Sequence, residues 1–272
     1  MALSDYQFEY KILFTGGSST TLTFGAGTVI DVMELEGLFD QDSRDGDRPF
    51  TRFHGDVQGE HTVAPKYINL SLAVRGDPGL QTYWDDVYKV QEVFLTRPQP
   101  NDEEKLKFKV PGLPERFIRA RTVSRRFARS AQTEWGWAPI QAQLKAADPR
   151  IYAPTGGMNT SGAQSGTFSV TNAGIANAYP KLTFSSTGST ITLTNNTYTQ
   201  TLTIVTPPAG TLIADMDIYI RGVPGLVMYI GSTNHYTKWQ QPRLPFVLGK
   251  GSNSLTLTGA TDVTVQWYDT WL

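Results

Sequence analysis

QLKAADPRIY, residues 143–152, divides the sequence into two unlike halves. Nineteen of the 24 Lys and Arg side chains, and 21 of the 25 Asp and Glu, precede residue 151. A composition shift that sharp predicts two independently packed units. Residues 134–144 read as a strand closing the first unit, with Trp135 and Trp137 on one face. Asp148-Pro149 stops it, because Pro149 has no N–H and pushes Asp148 toward extended geometry. The following APTGGMNTSGAQS, residues 153–165, has a loop or linker composition. The expected domains are therefore 1–152 and 153–272.

A chain of 272 residues can bury one large core or two ordinary ones, and the charge partition favours two. With a net charge of −1 there is no overall basic field to attract nucleic acid or an anionic membrane. The absence of cysteine excludes disulfides and thiolate metal sites, and suits assembly in a reducing compartment. MALSDYQFEYKILF lacks the basic start and apolar centre of a secretory signal. No apolar run approaches the roughly 20 residues of a membrane helix, so no membrane insertion is expected. Abundant Gly, Thr and Ser with 11% aromatics lean toward β structure.

The first half reads as strands with one helix. Residues 6–14 alternate, with Tyr6, Phe8, Tyr10, Ile12 and Phe14 on the apolar face. Gly16-Gly17-Ser18 turns the chain into a second strand, residues 20–24. Gly25-Ala26-Gly27 reads as a turn, since no third glycine or helix completes a dinucleotide fingerprint. Residues 29–35 form a third strand, and residues 66–74 a fourth, with Ile68, Leu70, Leu72 and Val74 on its apolar face. The helix is expected to start at Asp77, with Asp77 as cap and Pro78 in its first turn. Leu80, Tyr83, Trp84, Val87, Val90 and Phe94 make its apolar stripe. Residues 105–110 form a further strand, followed by a turn at Pro111-Gly112-Leu113-Pro114.

Two charged stretches stand out. Asp40, Asp42, Asp45 and Asp47 lie in a polar loop with Arg44 and Arg48. Their spacing resembles a calcium loop, but the twelfth position is Thr51 rather than Glu, so a solvated or partner-facing loop is the better reading. Arg116, Arg119, Arg121, Arg125, Arg126 and Arg129 form the most basic run. As one strand it would set Arg119, Arg121 and Arg125 on a shared face. Ion pairing at a surface or subunit boundary is preferred over a nucleic-acid patch, because the half is close to neutral. His54 and His61 lack the spacing of a metal pair, and no cofactor is expected.

The second half reads as about eight short Thr-rich strands: residues 167–171, 181–185, 190–194, 199–205, 212–220, 226–230, 254–258 and 264–268. That pattern predicts an antiparallel sandwich without helices. Tyr236, Trp239, Trp267, Tyr268 and Trp271 could stack on a sugar ring, although core burial is the commoner use of such residues. Asp215 and Asp217 share a strand face and do not make a glycosidase pair across a cleft. No nucleophile elbow, P-loop or His-Glu-x-x-His is present, so an enzyme is not expected.

The order of several pieces resembles the distal tail proteins of long, non-contractile-tailed bacteriophages. They are Glu36-Gly37-Leu38 with its polar loop and Arg44, the helix at residues 79–94, and the strand at 116–121. Then follow AADPRIY at 146–152, NAYPKLTF at 177–184, LIAD at 212–215 and LGKGSNSL at 248–255. The resemblance implies a mainly β chain of two domains: a ring-forming β-sandwich-like domain with one helix, and a galectin-like or carbohydrate-module-like sandwich. It implies a hexameric ring at the virion tail tip, assembled in the bacterial host cytoplasm, that joins the tail tube to the baseplate. It further implies as partners other copies of the chain, the tail tube protein, the tape measure protein and a tail-associated tip protein. Phage DNA would pass through the channel without specific binding. The second domain is short and carries no large insertion, which departs from family members that bind a host receptor directly. Under this resemblance Asp40, Asp42, Asp45, Asp47, Arg116, Arg119, Arg121 and Arg125 are candidates for a subunit interface or channel. The alternative is a carbohydrate-binding or host-adhesion protein, with Tyr236, Trp239, Trp267 and Trp271 against the saccharide.

Overall fold

The computed structural model describes residues 3–13, 19–40, 43–44, 48–49, 56–57, 62–95, 104–154, 156–216, 227–240 and 245–272. The chain is mainly β and packs as two compact units, Met1–Ile151 and Tyr152–Trp271. Among the described residues no helix is long and apolar enough to cross a membrane.

In the first unit β1 (Gln7–Leu13), β2 (Ser19–Gly25), β3 (Ile30–Glu36) and β4 (Lys66–Arg75) precede helix α1 (Gln81–Val93). After it come β5 (Lys105–Phe108), β6 (Arg116–Arg119), β7 (Arg121–Phe127), the single turn α2 (Ala131–Glu134) and β8 (Trp137–Ala146). Strands β2, β1, β5 and β6 pair antiparallel in that order. A second, four-stranded antiparallel sheet has the order β7-β8-β4-β3. Two-residue strands also pair, Ser43–Arg44 with Thr62–Val63 and Arg48–Pro49 with Asp56–Val57.

The period-two pattern of β4 produces the inner face of the four-stranded sheet. Ile68, Leu70, Leu72 and Val74 are all buried, opposite Leu144, Ala142, Ile140 and Ala138 of β8. Tyr10, Leu22, Leu106 and Ile118 make the matching buried row of the other sheet. Tyr83, Val87, Val90 and Val93 bury one side of α1. Phe94, just past its end, stacks on Tyr10 at 5.1 Å and meets Phe24 edge-on at 6.3 Å.

The helix begins four residues later than Asp77. The Asp77 carboxylate accepts the Gly79 N–H at 2.9 Å and its carbonyl accepts the Leu80 N–H. Asp77 thus closes the turn before the helix, which has no side-chain cap, and Leu80 lies outside the stripe and is exposed. Tyr6 is also exposed: it precedes β1 with φ +61°, so it does not share the face of Tyr10. Trp135 follows α2 rather than lying in β8, and is 83% exposed.

A buried polar group ties the core together. The Tyr10 hydroxyl donates to the Glu104 carboxylate, which also accepts the Thr122 N–H at 3.1 Å. The Ala120 N–H donates to the Glu104 carbonyl. Burial first, and then the neighbouring carboxylate, hold the Tyr10 hydroxyl well above its ordinary pKa. The neutral phenol is therefore the folded form, and its stabilisation is present below about pH 10. As pH rises past that point the unfolded chain loses the proton first, and stability falls. Tyr10→Phe should cost about 1.5–3 kcal/mol at neutral pH, as for hydrogen bonds to charged groups. Urea titrations at pH 7 and pH 11 check this: the loss from the substitution should shrink at pH 11.

In the second unit, β9 (Ile151–Ala153) carries the chain across the junction, and the Ala153–Pro154 peptide is cis. Strands β10 (Asn159–Gln164), β11 (Thr167–Asn172), β12 (Lys181–Ser186), β13 (Ile191–Asn195), β14 (Gln200–Ile204) and β15 (Gly210–Asp215) follow. The last are β16 (Val227–Ile230), β17 (Thr233–Asn234), β18 (Gly251–Thr258), β19 (Ala260–Trp267) and β20 (Asp269–Trp271). A six-stranded sheet, β10-β19-β12-β15-β16-β17, and a four-stranded sheet, β11-β18-β13-β14, share one apolar core that includes Leu182, Phe184, Leu193, Leu255 and Val265. The eight expected strands are present over the described residues. Residues 159–164, however, form a paired edge strand rather than a loop, with Ser161 Oγ accepting the Val265 N–H at 3.0 Å. A single 3-10 turn spans Tyr236–Lys238.

One end of this core is polar and fully satisfied. Asn253 Oδ1 accepts the Asn195 side-chain N–H and the Gly249 N–H, both at 3.0 Å. Its Nδ2 donates to the Gly249 and Gly251 carbonyls, both at 2.9 Å. A Cβ at Gly249 would lie 1.9 Å from the end of the exposed Tyr198 ring, so a larger residue there would push that side chain aside. The sequence LGKGSNSL at 248–255 is thus a tight turn leading into β18, pinned by the Asn253 side chain.

Candidate subunit interface

The basic run is two strands, not one. Arg116 and Arg119 belong to β6, while Arg121 and Arg125 belong to β7 in the other sheet, with Ala120 as the pivot. Arg119 is buried and Arg116 is half-buried, and burial lowers the Arg116 pKa. Arg121, Arg125 and Arg126 are exposed on the edge strand β7. A bulge between Thr122 and Ser124 shifts the register, so Arg121 and Arg126 face outward while Arg125 opposes Ala142 of the inner row. Arg125 donates to the Gln91 carbonyl of α1. The expected shared face of Arg119, Arg121 and Arg125 is therefore absent: a sheet change and a bulge separate them.

The opposite edge of the same sheet is acidic. Strand β3 carries Asp31, Glu34 and Glu36, which oppose the buried Ala73 and the more open Ser71 and Asn69 of β4. Asp31 is held by Arg75 at 2.7 Å, whereas Glu34 and Glu36 are exposed. Another bulge, between Val32 and Glu34, leaves Met33 unpaired in the ladder and exposed. Of the four candidate aspartates only Asp40 is described. It is exposed just beyond this edge, and Asp42, Asp45 and Asp47 lie outside the described residues, as do His54 and His61.

Beside β3 a cleft of about 560 Å³ is lined by Glu36, Phe39, Asp40, Tyr67 and Asn69, among others. Lys66 is buried below it and donates to the Leu38 carbonyl at 3.3 Å. Burial lowers the Lys66 pKa, and the Asp40 carboxylate opposes that shift. Lys145 lies over the Tyr67 ring at 5.5 Å. Between the two charged edges the middle of the outward face carries Asn69, Ser71, Gln141 and Gln143, with Lys145 and Arg75 at its two ends; the Gln143 and Asn69 amides are bonded at 3.0 Å.

The aromatic set of the second unit is mostly turned inward. Trp239 is 3% exposed and Trp267 7%, both as members of the core, so neither offers an open ring face. Tyr236 is half-buried and meets Trp239 edge-on at 6.0 Å; Trp271 is half-buried. The acids here have structural partners: Asp262 accepts the Ser185 hydroxyl and Asp269 the Ala173 N–H, both at 2.9 Å. Asp215 is buried opposite Lys181, and Asp217 lies outside the described residues. Trp267 does line an open cleft of about 530 Å³, with Asn159, Gln164, Thr171 and Asp269. Among the described residues no three His, Asp or Glu side chains are grouped to hold a metal ion.

No family model and no curated protein matches the chain. Among solved structures, the Dit protein of phage SPP1 aligns over 97% of this chain and 99% of its own, with a TM-score of 0.64 and 16% identity. The fold is that of the SPP1 Dit protein. That protein is described as a paradigm of the hub of the adsorption apparatus in phages infecting Gram-positive bacteria. A chain of the phage P2 baseplate in its activated, calcium-containing conformation aligns over 96% of this chain and 97% of its own, with a TM-score of 0.51 and 8% identity. The Dit-like fold thus spans both compact units. Glu34, Glu36 and Arg126 were not singled out in the sequence as a pair of edges. Their signal is faint: acids alternating through β3 on one side, and one more arginine in a basic run on the other.

Proposed function

We propose that the chain is a non-enzymatic structural protein of a bacteriophage tail tip, whose copies close into a hexameric ring around the DNA channel. The observation that carries this reading is the whole-length fold match to a hub protein of an adsorption apparatus. The four-stranded sheet supports it. It has two edges of opposite charge for neighbouring copies, and between them a face whose centre carries uncharged amides and a hydroxyl. Such a face suits a channel wall, because clustered cations would bind the phosphate backbone and hold the DNA. In this reading the tail tube protein, the tape measure protein and a tail-associated tip protein are the neighbours. Immunogold labelling of intact virions tests it: label at the distal end of the tail supports the assignment, and label on the head or along the tube overturns it.

We also propose that the two compact units are separate folding domains. Calorimetry of the full chain should resolve two transitions, and one transition with equal calorimetric and van't Hoff enthalpies would contradict this.

Saccharide binding is a second reading, now favoured by the open polar cleft beside Trp267 rather than by Trp239. A host cell-wall pull-down with the full chain tests it. Saturable binding lost in Gln164→Ala would establish it, and no binding would remove it.

A further inference from the structure

We propose that the β3 edge of one copy docks head-to-tail on the β7 edge of the next, with Tyr88 of α1 beside the receiving edge. This rests on the ring reading and specifies its contact. The two edges terminate the same four-stranded sheet, so a contact between them is heterologous and repeats in one direction until it closes. Their chemistry is complementary. One presents Glu34, Glu36 and Asp40 with exposed Met33 and Phe39; the other presents Arg121 and Arg126. The bond from Arg125 to the Gln91 carbonyl fixes α1 beside β7. Tyr88, one turn before Gln91, is 62% exposed, which adds an apolar element to the basic edge to meet Met33 or Phe39.

The cleft beside β3 has the composition of an arginine socket. It combines the Glu36 and Asp40 carboxylates with the Phe39 and Tyr67 rings and the Asn69 amide. A planar guanidinium matches carboxylates in bidentate geometry and stacks on rings, which an ammonium does less well. The Tyr67 ring already faces one cation, Lys145, and buried Lys66 offsets part of the charge of Asp40. Glu36 is therefore the main carboxylate for an incoming arginine. The two bulges disrupt the outer ladders, so the contact is made by side chains rather than by a continuous backbone sheet.

Two complementary variants test the contact in the full chain. Arg121→Glu with Arg126→Glu makes both edges acidic, and Glu34→Lys with Glu36→Lys makes both basic. Each variant alone should lose the assembled species, and an equal mixture should recover it, because the two alternate around an even-membered ring. High salt should weaken the wild-type assembly. Assembly of either variant alone at the wild-type level overturns the contact while leaving the ring reading standing. Because the chain has no cysteine, cross-linking gives a second readout that does not depend on charge. Glu34→Cys with Arg126→Cys, treated with a bis-maleimide, should give a ladder of covalent multimers; each single variant should give none. A dimer from one single variant would mean a two-fold contact and overturn the proposal. A wild-type monomer at all concentrations, with no ladder, overturns the contact and the ring together.

Discussion

Asp148→Ala should destabilise the first unit by about 3–5 kcal/mol, the range for breaking a buried ion pair. Asp148 and Arg150 are both buried. Arg150 Nε donates to Asp148 Oδ1 at 2.8 Å and Nη2 to Oδ2 at 2.9 Å, a bidentate fork. The Arg150 N–H also donates to Oδ1, at 3.2 Å. Removing the carboxylate takes away three acceptor contacts and leaves the guanidinium charge in a buried site. Asp148→Asn keeps the shape but not the charge, and should lie between the wild type and Asp148→Ala. Urea midpoints of the three proteins check the order. Equal midpoints would mean that the fork adds nothing to stability.

Trp239→Ala should cost a similar amount, about 3–5 kcal/mol, but in the second unit. Trp239 is a core residue. Its backbone bridges to Ile204 of β14, and its ring is enclosed in the core of the sandwich. The substitution would leave a large cavity between the sheets. Trp239→Phe fills part of it and should cost less. A saccharide contact would instead lose affinity on Trp239→Ala with little change in melting temperature. Melting curves of the variants therefore distinguish a packing role from a binding one.

The parts of the fold legible in the sequence are those where periodicity and burial coincide. Ile68, Leu70, Leu72 and Val74 alternate in sequence and line the core in space. The Thr-rich segments from Lys181 to Asn195 behave likewise, with Leu182, Phe184, Ile191 and Leu193 inward. Residues 159–164, NTSGAQ, hide their strand because an edge strand half-exposed on both sides has no apolar alternation to display. The arginines from 116 to 129 read as one strand because charge dominates the pattern. The change of sheet happens at Ala120, whose only signature is a small side chain. Asp148-Pro149-Arg150 reads as punctuation, while in the fold its two charged side chains form a buried ion pair. The candidate interface was half legible. Its basic side shows as a run, but Glu34 and Glu36 become an edge only once the order of the sheet places β3 outermost. The aromatics near the C-terminus show the limit of residue type as a guide: Trp239 and Trp267 are enclosed, whereas Trp135, in the first half, is 83% exposed.

The most direct test of the account is the mass of the purified full chain in solution, by light scattering across concentration and at low and high salt. The account predicts a species near six times the 30.1 kDa of one chain, which falls apart as salt rises. A mass of one chain at every concentration would contradict it.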